Sequence, residues 1–337
     1  MTAARSVLED APEGGAVMAV RTEELRYPAA NGVDTLAAQV WYDDGAEPKW
    51  ILQIVHGMCE YMGRYNDFAG FMAEHGAVVC GNDHAGHGRS KGADGYGYFA
   101  KKDGDKNLVT DVREFNRTVC KRWPGLPVVM LGHSMGSFVC RSYLTQYGEE
   151  LSGVILSGTA GDNPLSGVGL FLAKAVRLFR GDKYRSPTLT KMAFGSYNDR
   201  YPEKRTQYDW ISRDTAVVDR YAADEACTYQ FTVGAYIDML RLLRSIAGDR
   251  WAKQVPTDRP YLVLAGSMDP VGNYTKGVKE VCGRLKRAGV KDLTLKIYDG
   301  AHHEVLNEIN RREVYDDILA WTNRVLSAGG REKPAKP

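Results

Sequence analysis

No apolar run in this chain of 337 residues approaches the roughly 20 needed to cross a membrane, so no transmembrane helix is expected. The N-terminal stretch MTAARSVLEDAPEGG lacks the apolar centre of a secretory signal, which makes the cytoplasm the expected compartment. No charge sign dominates. The 44 basic and 42 acidic side chains leave a formal charge of +2, and no basic stripe marks a nucleic-acid groove. The six cysteines (Cys59, Cys80, Cys120, Cys140, Cys227 and Cys282) contain no C-x-x-C pair, which excludes the usual zinc and redox motifs. Several sit in apolar runs such as Val78-Val79-Cys80, where the thiol acts as a small hydrophobe, and free buried thiols are expected. Internal repeats are absent as well.

What is present is a well-supplied interior. Hydrophobic residues make up 44% of the chain and aromatics 10%, enough for one large domain or a core carrying an insertion. The turn signal NGVD separates the β-like runs Glu24–Tyr27 and Leu36–Tyr42, which reads as a hairpin. From Trp50 the texture changes. Short apolar runs at Ile51–Val55, Ala77–Cys80, Val128–Leu131 and Val154–Ser157 read as strands. They alternate with helical patterns at Tyr65–His75, Leu108–Trp123 and Met135–Tyr147. Leu108, Val112, Phe115 and Val119 fall on one helical face. The alternation returns with strands Tyr261–Ala265 and Leu293–Tyr298 and helices Asn273–Arg287 and Asn310–Leu326. Continuous apolar strands alternating with amphipathic helices predict an α/β fold, a mostly parallel sheet covered on both faces. Residues 1–160 and 252–330 form the expected core. Residues 161–251, aromatic-rich and without strand patterns, form an expected helical insertion over one edge of the sheet. The tail Arg331–Pro337 reads as a solvated end.

Within this frame GHSMGS stands out, because it places Ser134 between Gly132 and Gly136 where a strand meets a helix. Gly-x-Ser-x-Gly in that context is a nucleophile elbow. The sharp turn lifts the hydroxyl above the strand end and sets the Met135 amide and the helix N-terminus beside any developing oxyanion. A serine hydroxyl needs a base, since it is un-ionised at neutral pH. The partners should follow in the order acid, histidine, each after a late strand. YLVLAGSMDPVG supplies Asp269, with Asp299 a competing acid that looks like a turn residue beside Gly300. LTLKIYDGAHHEVLNE supplies His302 and His303, whose side chains point different ways; the spacing does not choose between them. The other histidines have structural expectations: His75 ends a helix, His84 and His87 come too early in the chain, and His133 packs beneath the elbow. After the first core strand, VHGMCEYMGRY offers the Met58 amide as a second oxyanion donor, with Glu60 and Arg64 placed to pair and stiffen the loop.

Together HGMCEYMGRY, DHAGHGRS, GHSMGS, GSMDPV and GAHHEVLNE resemble the monoacylglycerol lipase and lysophospholipase group of α/β-hydrolases, over about Glu24 to Leu326. The resemblance implies an α/β-hydrolase fold with a helical cap and an oxyanion loop in HGxxE. It also implies a catalytic histidine directly before E-V/I-L-N-E, which assigns His303. Two positions depart from the group's pattern: Tyr61 follows Glu60 where relatives often carry histidine, and Ala85 stands where an arginine is common. Neither is a triad member; both lie near substrate. The expected activity is cofactor-free and metal-free hydrolysis of carboxylic lipid esters, with Ser134, Asp269 and His303 as triad. The alternatives are an amide hydrolase of the prolyl aminopeptidase type and a non-catalytic ligand receptor. No nucleic-acid partner is expected. In the insertion, Pro164–Gly181 carries Val168, Phe171, Leu172, Ala175 and Phe179 on one face. The plainer expectation packs that face on the core; the other turns it toward lipid as a lid, with transient membrane contact.

Overall fold

The computed structural model describes residues 20–329, Pro202 excepted; the N-terminal stretch and the tail discussed above lie outside the described residues. Two strands, β1 (Val20–Pro28) and β2 (Thr35–Asp43), form the expected antiparallel hairpin. The chain then alternates: β3 (Trp50–Val55), α1 (Asn66–Glu74), β4 (Ala77–Asn82), α2 (Gly104–Arg122), β5 (Val128–His133), α3 (Met135–Tyr147), β6 (Gly153–Ser157). Four helices follow without a strand among the described residues: α4 (Ser166–Arg180), α5 (Pro187–Phe194), α6 (Thr215–Ala223) and α7 (Val233–Ser245). The last elements are β7 (Tyr261–Gly266), α8 (Lys276–Arg287), β8 (Leu293–Tyr298) and α9 (Arg311–Gly329).

The eight strands form one sheet in the order β1-β2-β4-β3-β5-β6-β7-β8, parallel from β4 to β8. Because strand side chains alternate between faces, the apolar runs split into two cores. Ile51, Val55, Val128, Met130 and Val263 pack with α2, α3 and α8 on one face. Leu52, Ile54, Val129, Leu131 and Leu264 pack with α1 and α9 on the other. The register aligns Val55 with Gly132, His133 with Ser157 and Gly266 with Tyr298, so the carboxyl ends of these strands stand in one row. The chain leaves β3 for β4 on one side and reaches β5 on the other. Open α/β sheets bind ligands at such a reversal, beyond the carboxyl ends.

Three expectations need correction. The helix expected from Asn273 starts at Lys276, because Asn273, Tyr274 and Thr275 all have positive φ (48°, 52° and 76°). In that left-handed turn the Tyr274 N–H donates to the Asp269 carbonyl at 2.8 Å. The insertion is not confined to one edge of the sheet. It leaves between β6 and β7 and rests α7 on α2 and α3, with Phe231, Ile237 and Trp251 joining the main core. Finally, the apolar face of α4 is turned away from the core. Phe171 is 71% and Phe179 81% exposed, while only Gly169 and Ala173 are buried, against α7. Small residues permit the close α4–α7 approach and force the bulky ones outward.

Candidate active site

Ser134 occupies the turn from β5 to α3 with φ 52° and ψ −121°, a left-handed conformation that a non-glycine residue adopts only under constraint. Its N–H donates to the Ser157 carbonyl at 2.9 Å, so the amide left free at the elbow belongs to Met135. Met135 opens α3 and has no acceptor within its own helix. The glycines are required by contact. A Cβ on Gly136 would stand 1.9 Å from the Val55 carbonyl oxygen and 2.6 Å from that of His56. The elbow is thus wedged against the carboxyl end of β3 as well as its own strand. Ser134 itself is half-buried, which leaves its hydroxyl reachable.

The loops after β7 and β8 bring Asp269 and His303 together. Asp269 Oδ1 lies 3.0 Å from His303 Nδ1, both side chains buried. The contact is close but bent: Nδ1 lacks an aligned hydrogen-bond partner, and Oδ1 also accepts the Val271 N–H at 2.8 Å. Hydrogen bonds of this kind commonly tighten only when substrate binds. The His303 ring stands 4.6 Å from that of His133, the residue before Ser134, which sets it beside the elbow. Burial alone would lower the His303 pKa. The Asp269 carboxylate outweighs it, with smaller help from Glu304 and Glu60, and the pKa is raised.

The other candidates lie in different surroundings. His302 turns away, its Nδ1 bonded to the Asp209 carbonyl at 2.8 Å, and burial lowers its pKa. Asp299 accepts the Ser267 hydroxyl at an exposed turn, far from a basic role. His75 bonds back to Phe71 at the end of α1. His84 and His87 pack around His56 in a buried cluster. His56 Nε2 accepts the His84 N–H at 2.9 Å, which makes its other nitrogen the donor to Gly57 O and keeps the ring neutral.

Across from the base runs the loop after β3. A Cβ on Gly57 would meet Ser134 Cβ at 2.9 Å, so the loop lies directly against the nucleophile candidate. The Met58 N–H enters no backbone–backbone hydrogen bond among the described residues. Glu60 is buried and accepts the Gly57 N–H, the Tyr65 hydroxyl at 3.0 Å and Arg64 at 3.2 Å. Burial, opposed by Arg64, pushes its carboxyl up to about 7. The expected Glu60–Arg64 pair is therefore present, and it has a third member that sequence reasoning missed. Arg64 reaches Glu304 through two bonds of 2.6 Å, tying the loop after β3 to the residue beside His303. The only sequence signal for this was Glu304 following the histidine directly.

Residues of the insertion reach the His303 ring. Trp210 lies 5.1 Å from the His303 ring, and Tyr197 packs on Trp210 at 4.8 Å. No helix among the described residues is long and apolar enough to cross a membrane.

Comparison with known proteins agrees with this architecture. Residues 46–310 match the family model described as serine aminopeptidase, S33. A monoacylglycerol lipase of Mycolicibacterium smegmatis is 30% identical over 88% of this chain and 96% of its own. A monoglyceride lipase of Mus musculus is 27% identical over 89% of this chain and 90% of its own. Among solved structures, a thermostable carboxyl esterase from Bacillus coagulans superposes with a TM-score of 0.85 at 30% identity, covering 90% of this chain and 99% of that one.

Proposed function

The chain belongs to the serine aminopeptidase S33 family of hydrolases, and from that membership we propose that Ser134, His303 and Asp269 are its catalytic triad. The protein is an α/β-hydrolase that cleaves carboxylic esters of lipid type, of the monoacylglycerol or lysophospholipid class. The observation that carries the triad is the strained elbow of Ser134 beneath an imidazole held 3.0 Å from a buried carboxylate. In the reaction, Ser134 Oγ attacks the ester carbonyl while His303 Nε2 takes its proton. Asp269 keeps the proton on Nδ1 and stabilises the imidazolium. The Met58 and Met135 amides receive the oxyanion. His303 then protonates the departing alcohol, and water activated by the same nitrogen releases the acyl group from Ser134.

Ser134→Ala is expected to lower p-nitrophenyl ester turnover by at least about 10^4-fold with the fold intact. Fluorophosphonate labelling should be lost in the same variant. Wild-type turnover in Ser134→Ala would remove that residue from its role. The aminopeptidase description of the family makes an amide substrate the second reading. Matched ester and N-terminal proline amide substrates separate the two, and the ester is expected to be the faster.

We also assign residues 161–251 as a cap over the site. Its helix α4 is the surface for transient contact with lipid, since Phe171 and Phe179 project to solvent beside Lys174, Arg177 and Arg180. Six free cysteines are in keeping with a cytoplasmic setting.

A further inference from the structure

Glu308 lies five residues beyond the base and is fully buried. Its carboxylate collects donors from two parts of the chain. From its own loop come the His302 N–H at 2.8 Å and the Ile309 N–H at 3.0 Å. From the cap come the Arg213 N–H at 3.1 Å and Arg213 Nε at 2.9 Å. Glu308 thus joins the cap to the backbone that carries His303.

The same join is repeated along the chain. The His303 N–H donates to the Trp210 carbonyl at 3.2 Å, the Glu304 N–H to Ile211 O at 2.8 Å, and the Ser212 hydroxyl to Asn307 O at 2.9 Å. The cap segment 209–213 therefore lies along the loop that carries His303. Its backbone bonds hold the peptide units on either side of the His303 Cα. Because the contact of His303 with Asp269 is bent, that contact alone does not set the plane of the ring. The peptide units that carry the ring must help set it. Among the described residues Arg213 is the one cation bonded to the buried Glu308 carboxylate, and removing it leaves that charge uncompensated beside the loop of His303.

We propose that Glu308 and Arg213 are positioning residues, through which the cap sets the orientation of the His303 imidazole against Asp269. This rests on His303 being the base. Neither residue touches the reacting atoms. They act through the backbone of residues 302–304, and displacements near 1 Å at a base are enough to lower rate by about 10^2-fold.

The groups facing the imidazole are Asp269 after β7, His133 at the end of β5, Glu60 in the loop after β3 and Glu304 beside it, with Arg64 between the last two. Substitution at 213 or 308 alters none of them. A change in the acid limb of the pH profile would therefore report movement of the ring relative to Asp269.

The test compares Arg213→Ala, Arg213→Lys, Glu308→Gln and the double variant Arg213→Ala/Glu308→Gln in the full chain, with p-nitrophenyl butyrate as substrate. Arg213→Ala and Glu308→Gln are expected to lose about 10- to 100-fold in kcat, with KM within about twofold. The acid limb of kcat/KM should move to lower pH, because a ring displaced from Asp269 loses the carboxylate that stabilises its cation. Arg213→Lys should recover part of the loss, and the double variant should be no worse than the more severe single one. An unmoved acid limb, or a loss that only tracks the unfolded fraction, overturns the inference. Should Glu308→Gln fail to fold, Arg213→Ala decides by itself, since that side chain is 29% exposed. His303→Ala is run in parallel. Full loss there with an unmoved limb in Arg213→Ala sinks the positioning role alone, whereas retained activity there overturns the triad and the inference with it.

Discussion

At the scale of single residues, the chemistry turns on how burial and a carboxylate compete at His303. Burial disfavours its cation and Asp269 favours it, with the carboxylate prevailing, so the pKa stands above the ordinary 6.5. In the proposed mechanism His303 acts as base when neutral. Activity should therefore rise with pH through an acid limb above about 6.5, and it should be lost below that limb. Asp269→Asn removes the charge and leaves the imidazole in the wrong tautomer. It should move the limb downward and lower kcat by about 10^4-fold, read from the pH dependence of p-nitrophenyl ester hydrolysis. A limb left in place by Asp269→Asn would show that another group sets it. The choice of Asp269 over Asp299 and of His303 over His302 lies at this scale too. Composition and spacing left both pairs open, because neighbours in a loop differ in direction, and direction is decided by what each side chain meets. His302 meets the Asp209 carbonyl of the cap and His303 meets Asp269.

At the scale of elements, the elbow was legible because its requirements are local: a strand, a helix and two positions that must be small. The structure adds that Gly136 abuts Val55 and His56, residues about eighty positions earlier. Both contacts are backbone, so Gly136→Ala cannot be relieved by a rotamer change. It should destabilise the protein by at least about 2–3 kcal/mol and slow fluorophosphonate labelling of Ser134. Denaturant midpoints and labelling rates check this, and an unchanged midpoint would show that the wedge is looser than its geometry. The start of α8 was misread because a helical pattern says nothing of three successive left-handed residues held by a tertiary loop. The orientation of α4 was misread for a related reason. Periodicity locates an apolar face but not the partner, and here α7 takes the narrow Gly169–Ala173 side. Replacing Phe171 and Phe179 together by serine should weaken sedimentation with anionic lipid vesicles at least several-fold, with turnover of a short water-soluble ester unchanged. Equal sedimentation of both proteins would count against lipid contact through α4.

At the scale of the molecule, buried titratable groups of opposite tendency are distributed through the core. Burial lowers His84 to about 4 and His87 to about 3, and it takes His56 and His133 well down. Below pH 6.5 the unfolded chain binds these protons first, so each such histidine removes about 1.4 kcal/mol of stability per pH unit on acidification. Burial also raises Asp111 and Asp238 to about 7, as it does Glu60. Between pH 6.5 and 4.5 these groups hold protons in the folded state that the unfolded state releases, which stabilises the fold on acidification. The carboxylates offset part of what the histidines lose, so the loss of stability across that window should be smaller than the histidines alone would give. Asp238→Asn removes one offsetting proton and should steepen the loss on acidification by about 1.4 kcal/mol per pH unit. Urea midpoints at pH 6.5 and 4.5 measure it, and parallel slopes for the two proteins would refute the assignment.

The alternation of strands and helices, the elbow and the chain order of acid and histidine all belonged to the amino-acid sequence itself. Each depends on residues near one another in the chain: period, turn chemistry and steric size act locally. Which histidine meets Asp269, which way α4 faces, and how Arg64 and Glu308 bind separate loops into one scaffold were decided only by the tertiary structure. Those outcomes depend on burial and direction among segments far apart in the chain, and neither quantity exists until the sheet has aligned the strand ends and the cap has settled on them.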